Sequence, residues 1–177
     1  MEFFLKLKHW QLLGLLFFSQ FVSMIVAVSL EEQPTVMLIG SLLSVGIFFG
    51  WFYALGINLN KRLPTKAKLN LSKFKWFMLI LIAYSILFCV FVFYFWLKAN
   101  RAGTFTVMLP FHFLSMFCML YCLYFNAKSL KAVELQRPVT FGDCIEEFFL
   151  IWFFPIGIWI IQPRINKMFD ESLQVKK

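Results

Sequence analysis

Four runs of this chain contain no Lys, Arg, Asp or Glu: Trp10–Leu30, Val36–Ile57, Trp76–Leu97 and Thr104–Tyr124. A proton-coupled carrier needs ionisable relays inside the membrane, so this absence argues against one. Histidine is scarce as well. With only His9 and His112, a bis-histidine haem is not expected, and the four cysteines include no Cys-x-x-Cys pair. Cys89, Cys118 and Cys122 fall in apolar stretches and read as small buried hydrophobes. A disulfide framework needs an exported, loop-rich chain, which this is not. The two halves show no similarity to one another, so the repeat signature of many secondary transporters is missing too.

What is present is apolar surface. Hydrophobic residues make up 61% of the chain and charged ones 15%, against about half and about a quarter in soluble domains. That balance places the chain in the membrane class, as one membrane domain over residues 1–177 with no separate soluble unit. Each charge-free run reaches the ~20 residues that a helix needs to cross the hydrocarbon. Backbone polar groups in lipid must be satisfied within the segment, so all four runs are expected to be helices. The first run, preceded by "MEFFLKLKHW" and containing "AVS", has the outline of a signal peptide. Its apolar stretch is long for one, and it is read as the first span.

Basic residues set the expected orientation. Lys6 and Lys8 precede the first span. The loop 58–75 holds Lys61, Arg62, Lys66, Lys68, Lys73 and Lys75 with no acid, and Lys128, Lys131, Arg137, Arg164, Lys167, Lys176 and Lys177 follow the fourth span. Only Lys98 and Arg101 fall on the other side, where Glu31 and Glu32 also lie. Both termini are therefore expected in the cytoplasm, with the protein in a bacterial inner membrane.

The C-terminal segment is the ambiguous one. Thr140 and Asp143 have the spacing of a capping box, although the third place usually takes Glu or Gln. The helix they start would carry Asp143, Glu146 and Glu147 on a solvated face. Phe141, Ile145, Phe148, Phe149 and Trp152 would form the apolar face. That helix should end before Pro155, because proline disfavours helical geometry in the residue ahead of it. The apolar run Phe148–Ile161 has fourteen residues, too few to cross ~30 Å of hydrocarbon. Pro155 and Gly157 interrupt it, and Pro163 follows just beyond it. Two readings follow: a re-entrant hairpin that could gate a path, or an amphipathic helix on the cytoplasmic leaflet. Residues 162–177 are read as a cytoplasmic tail.

Candidate functional residues are few. Gly46, Gly50 and Ala54 are spaced four apart in the second span, and Gly40 and Ser44 form another small pair. Such residues serve either ordinary helix packing or an oligomer or pore-lining face. Gln20, with Ser19 and Ser23, puts an amide near mid-membrane, where it bonds across helices or faces water. His112 and Ser115 share a stripe of the fourth span, and a neutral histidine bonded to a neighbouring helix is the simplest account of the former. Pro110 should kink that helix near its outer end. Lys61, Arg62, Lys66, Lys68, Arg137 and Arg164 could hold anionic lipid heads, or the phosphates of a nucleotide or oligonucleotide. No catalytic residue, metal site or cofactor is expected.

The stretch "FFLIWFFPIGIWIIQPRIN" (148–166) is similar to a segment of small four-span bacterial membrane proteins. The resemblance covers about twenty residues; it implies an architecture and no chemistry. Some short four-span bacterial proteins permeabilise membranes in anti-phage defence under a nucleotide signal, an analogy of architecture alone. The sequence-based expectation is thus a homo-oligomeric channel or pore-forming effector, surrounded by lipid and gated by a cytoplasmic anion. The alternative is a non-conducting anchor or assembly subunit of a larger complex. A lipid-modifying enzyme would require Asp143, Glu146 and Glu147 to converge with histidine or metal.

Overall fold

Helix α1 (Phe3–Lys6) leads into α2 (His9–Ser29), followed by α3 (Pro34–Arg62), α4 (Leu71–Lys98), α5 (Thr104–Leu135), α6 (Ile145–Trp152) and α7 (Phe154–Gln174). The computed structural model describes residues 3–29, 34–98 and 104–174. Glu31, Glu32, Arg101, Lys176 and Lys177, which enter the orientation argument, lie outside the described residues. Four helical stretches of 21, 28, 24 and 28 residues, within α2, α3, α4 and α5, are long and apolar enough to cross a membrane. At about 1.5 Å per residue each exceeds the ~30 Å hydrocarbon core. The chain is an all-helical, multi-pass membrane protein.

Three helices run further than the apolar stretches suggest, α4 by starting at Leu71 ahead of Trp76. α3 continues past Ile57 to Arg62 and stops just ahead of Pro64, while α5 continues past Tyr124 to Leu135. Nothing in "NAKSLKAVEL" breaks a helix. The break comes at Gln136, whose φ of 52° gives the left-handed turn that commonly closes helices, with Pro138 two residues on. The ends carrying Arg62 and Leu135 are called the basic end below.

Small residues decide how α2 meets α3. A Cβ at Gly40 would collide with the Ser23 side chain, and the Ser19 and Ser44 hydroxyls lie 2.8 Å apart. At the crossing of α3, α4 and α5, a Cβ at Gly56 would run into the Phe74 ring. That ring stacks on Phe125 with centroids 4.3 Å apart. The core gathers toward the basic half, around Trp51, Phe52, Leu55, Phe74, Met78 and Leu130. Elsewhere the spans turn large apolar side chains outward, among them Phe17, Phe18, Phe21, Leu87 and Phe117. In lipid that surface needs no cover, because hydrocarbon is as apolar as the side chains.

Candidate functional site

The apolar C-terminal stretch folds back on itself. α6 rises from the basic end, Phe153 turns the chain, and α7 leaves at 119° to the incoming segment. Three hydrogen bonds build the turn: Phe153 N–H to the Phe149 carbonyl at 2.8 Å, and the Ile156 and Gly157 N–H groups to the Phe153 carbonyl at 2.9 and 2.8 Å. Pro155 occupies the first turn of α7, where its missing N–H costs nothing. Gly157 is required by contact: a Cβ there would overlap the Leu150 backbone. Pro163 lies inside α7, which continues through it although the Trp159 carbonyl lacks its usual helix donor.

Its contacts show that the segment folds as a hairpin. At the apex, Phe154 packs on Phe48 and Trp51 with centroids 5.2 and 5.0 Å away. These residues sit near the middle of α3, about 16–21 Å from Arg62 at 1.5 Å per residue. Both legs return to the basic end. Glu147 of α6 meets Lys131 of α5, and the Arg62 guanidinium donates to the Met168 carbonyl of α7 at 2.7 Å while lying 3.6 Å over the Phe169 ring. One face of the hairpin is buried through Phe148, Ile151, Ile158 and Ile161; the other exposes Phe149, Phe153, Ile156 and Trp159.

Two polar clusters hold this hairpin. In the first, Arg164 Nε and Nη2 donate to the two Glu134 carboxylate oxygens at 2.8 and 2.6 Å, and Nη2 also reaches Glu147 Oε1 at 2.7 Å. Lys131 Nζ donates to the same Glu147 oxygen at 2.9 Å. Two cations and two carboxylates join α5, α6 and α7. Glu147 is completely buried and its Oε2 has no partner among the described residues. This corrects the expected solvated acidic face: Glu146 is exposed, but Glu147 points into the protein, where only the two cations make burial tolerable. Asp143 accepts from the Thr140 backbone N–H at 2.7 Å, the return half of a capping box, and pairs with Arg137 at 3.4 Å.

The second cluster centres on Gln162, also completely buried. Its amide nitrogen lies 2.7 Å from the Leu7 carbonyl and 3.2 Å from that of Phe4, and Asn166 donates to the Leu7 carbonyl at 3.3 Å. These are carbonyls at and just beyond the end of α1, left without helical partners. Gln162 Oε1 accepts from Trp51 Nε1 at 2.9 Å. The stretch read as the start of a cytoplasmic tail is thus internal: Gln162 and Asn166 cap α1, Arg164 joins the ion cluster, and Ile165 is buried.

Above the apex, away from the basic end, a cavity of about 380 Å³ lies between α3, α4 and α5. Phe49, Tyr84, Ser85, His112 and Ser115 line it, and Trp152 forms part of its wall on the hairpin side. Tyr84 Oη and His112 Nδ1 share a hydrogen bond of 2.7 Å, and Ser115 donates to the His112 carbonyl at 2.8 Å. Among the described residues no group of three or more His, Cys, Asp or Glu side chains is placed to hold a metal.

The remaining candidates have separate fates. A Cβ at Gly46 would meet nothing within 4 Å, Gly50 lies under the Phe4 ring, and Ala54 is buried. Gln20 is exposed on α2; its Oε1 accepts a long 3.5 Å bond from Ser44 and its nitrogen donates to no described residue. Lys61, Lys66 and Lys68 are exposed, whereas Arg62, Arg137 and Arg164 are engaged within the chain. Of the six predicted anion-binding residues, three are thus exposed and three are held by partners within the chain. Sequence reasoning missed Trp51, Lys131, Glu134, Gln162 and Asn166. The i, i+4 spacing of Gln162 and Asn166 was the one available signal. Comparison with protein-family models, with characterised proteins and with solved structures finds no match to this chain.

Proposed function

We propose that the protein is the subunit of a homo-oligomeric membrane channel, with its basic end in the cytoplasm and the C-terminal hairpin as its gate. The observation that carries this reading is the apex near mid-span, with Trp152 walling a largely apolar cavity into which the Tyr84–His112 pair and Ser115 bring the polar groups. Irregular backbone at that depth is tolerated where protein covers it or an aqueous path passes it. The acid-free loop offers Lys61, Lys66 and Lys68 to an anionic ligand such as a nucleotide or oligonucleotide. Arg62, at the start of that loop, grips α7 and would pass a shift of the loop to the hairpin. Ion flux from liposomes tests the proposal. Trp152→Ala, which opens the wall of the cavity, should raise the leak over the wild type. Absence of flux from both proteins, with and without nucleotides on the basic side, rules the channel out.

The exposed Gln20 amide favours a second reading. An unpaired amide donor on a lipid-facing helix calls for a partner in the membrane. A non-conducting anchor or assembly subunit would satisfy it through another protein. Its signature is a monomeric chain that co-purifies with a stoichiometric partner and loses it on Gln20→Leu.

A further inference from the structure

A second groove opens between α3 and α4, with a volume of about 630 Å³. Leu42, Gly46 and Tyr53 line it on α3, and Lys75, Leu79 and Ile82 on α4. Its walls run from Leu42 to Tyr53 and from Lys75 to Ile86, about 16 Å along each helix at 1.5 Å per residue. That length is about half of the ~30 Å hydrocarbon core; the α4 wall lies in the basic half, and the α3 wall reaches past the level of Phe48 and Trp51. The groove is closed by a cation at one end only. Lys75 is exposed, belongs to the acid-free loop, and forms no ion pair with a described carboxylate. At Gly46 the missing side chain leaves the slot open, since a Cβ there would touch nothing within 4 Å.

We infer that this groove is a binding site for one anionic phospholipid of the basic-end leaflet, with an acyl chain along Gly46 and the phosphate at Lys75. The inference stands apart from the channel reading. A void bordering hydrocarbon forfeits dispersion contacts on its open side, so an acyl chain fills it at little cost. Selectivity comes from the mouth, where a lysine near the surface contributes about 1 kcal/mol toward an anionic head group. Tyr53, stacked on Phe74 at 6.2 Å, gives the lower wall a rigid aromatic edge.

The test uses the full chain in nanodiscs containing equal phosphatidylglycerol and phosphatidylethanolamine, with retained lipids counted by native mass spectrometry. The wild type should keep one phosphatidylglycerol per chain in preference to phosphatidylethanolamine. Lys75→Gln should reduce that preference roughly fivefold, the factor equivalent to about 1 kcal/mol. Lys73→Gln, which removes the same charge from an exposed position outside the groove lining, should leave it intact. Gly46→Leu fills open space and should cut retention of both lipids at unchanged helical content. Equal losses in the two lysine variants would overturn the site in favour of diffuse surface charge. A wild-type dimer that Gly46→Leu dissociates without changing lipid retention would overturn it in favour of a second copy of the chain.

Discussion

Gln162 accepts a hydrogen bond from the Trp51 indole at 2.9 Å, 111 residues away in the chain, with both side chains out of reach of solvent. The same amide caps α1 through its nitrogen. A single side chain therefore joins the N-terminal helix, the middle of the second span and the returning leg of the hairpin. Gln162→Leu keeps the volume but strands the indole N–H and the α1 carbonyls, at about 1–3 kcal/mol for each unsatisfied group. Thermal unfolding in detergent should show the loss. Adding Trp51→Phe should restore part of it, because the double variant no longer buries an orphaned donor. Strict additivity of the two would remove Gln162 as the link.

Neighbouring acids should behave oppositely. Glu147→Ala leaves the Lys131 and Arg164 cations facing a buried gap, and breaking one side of a buried pair costs about 3–5 kcal/mol. Glu134 still holds Arg164, so the lower end of that range is expected. Glu146→Ala alters an exposed side chain and should stay within about 0.5 kcal/mol. Chemical unfolding of the two variants side by side measures the contrast. Similar losses in both would restore the solvated-face reading.

The glycines make a second contrasting pair. Gly157→Ala drives a methyl into the Leu150 backbone and should prevent the hairpin from closing, seen as a collapsed monodisperse fraction in size-exclusion chromatography. Gly46→Ala meets open space within a helix and should stabilise by about 1 kcal/mol through helix propensity alone.

Topology gives the most direct check on the hairpin. With four crossings and a segment that returns to its starting end, reporters fused before Met1 and after Lys177 should lie on the same side of the membrane. A reporter inserted after Ala102 should lie on the other. A terminal reporter on the Ala102 side would make α6 and α7 a fifth crossing and remove the gate.

Much of the fold was legible beforehand. The absence of charge from four runs marks the crossings, and Phe153 turns the chain just before Pro155, where the proline rule ends a helix. The candidate site was less legible. Glu147 and Glu146 are adjacent acids in the same helix, and only the position of Lys131 and Arg164 decides which one goes inside. Gly46, Gly50 and Ala54 share a spacing yet meet open space, the α1 aromatic and the core respectively. Spans that are apolar all round carry no stripe to separate a core face from a lipid face.

The chain by itself determined its class, its four crossings and the concentration of charge at one end. Helical rise and bilayer thickness are constants, and unpaired backbone groups are too costly in hydrocarbon to allow another solution. Only the tertiary structure decided that the C-terminal stretch returns on itself, that Gln162 and Arg164 lie inside, and that Gly46 borders a groove. Those outcomes depend on which surfaces meet across a hundred residues of chain, and hydrophobic composition is silent on that where solvent and core are equally apolar.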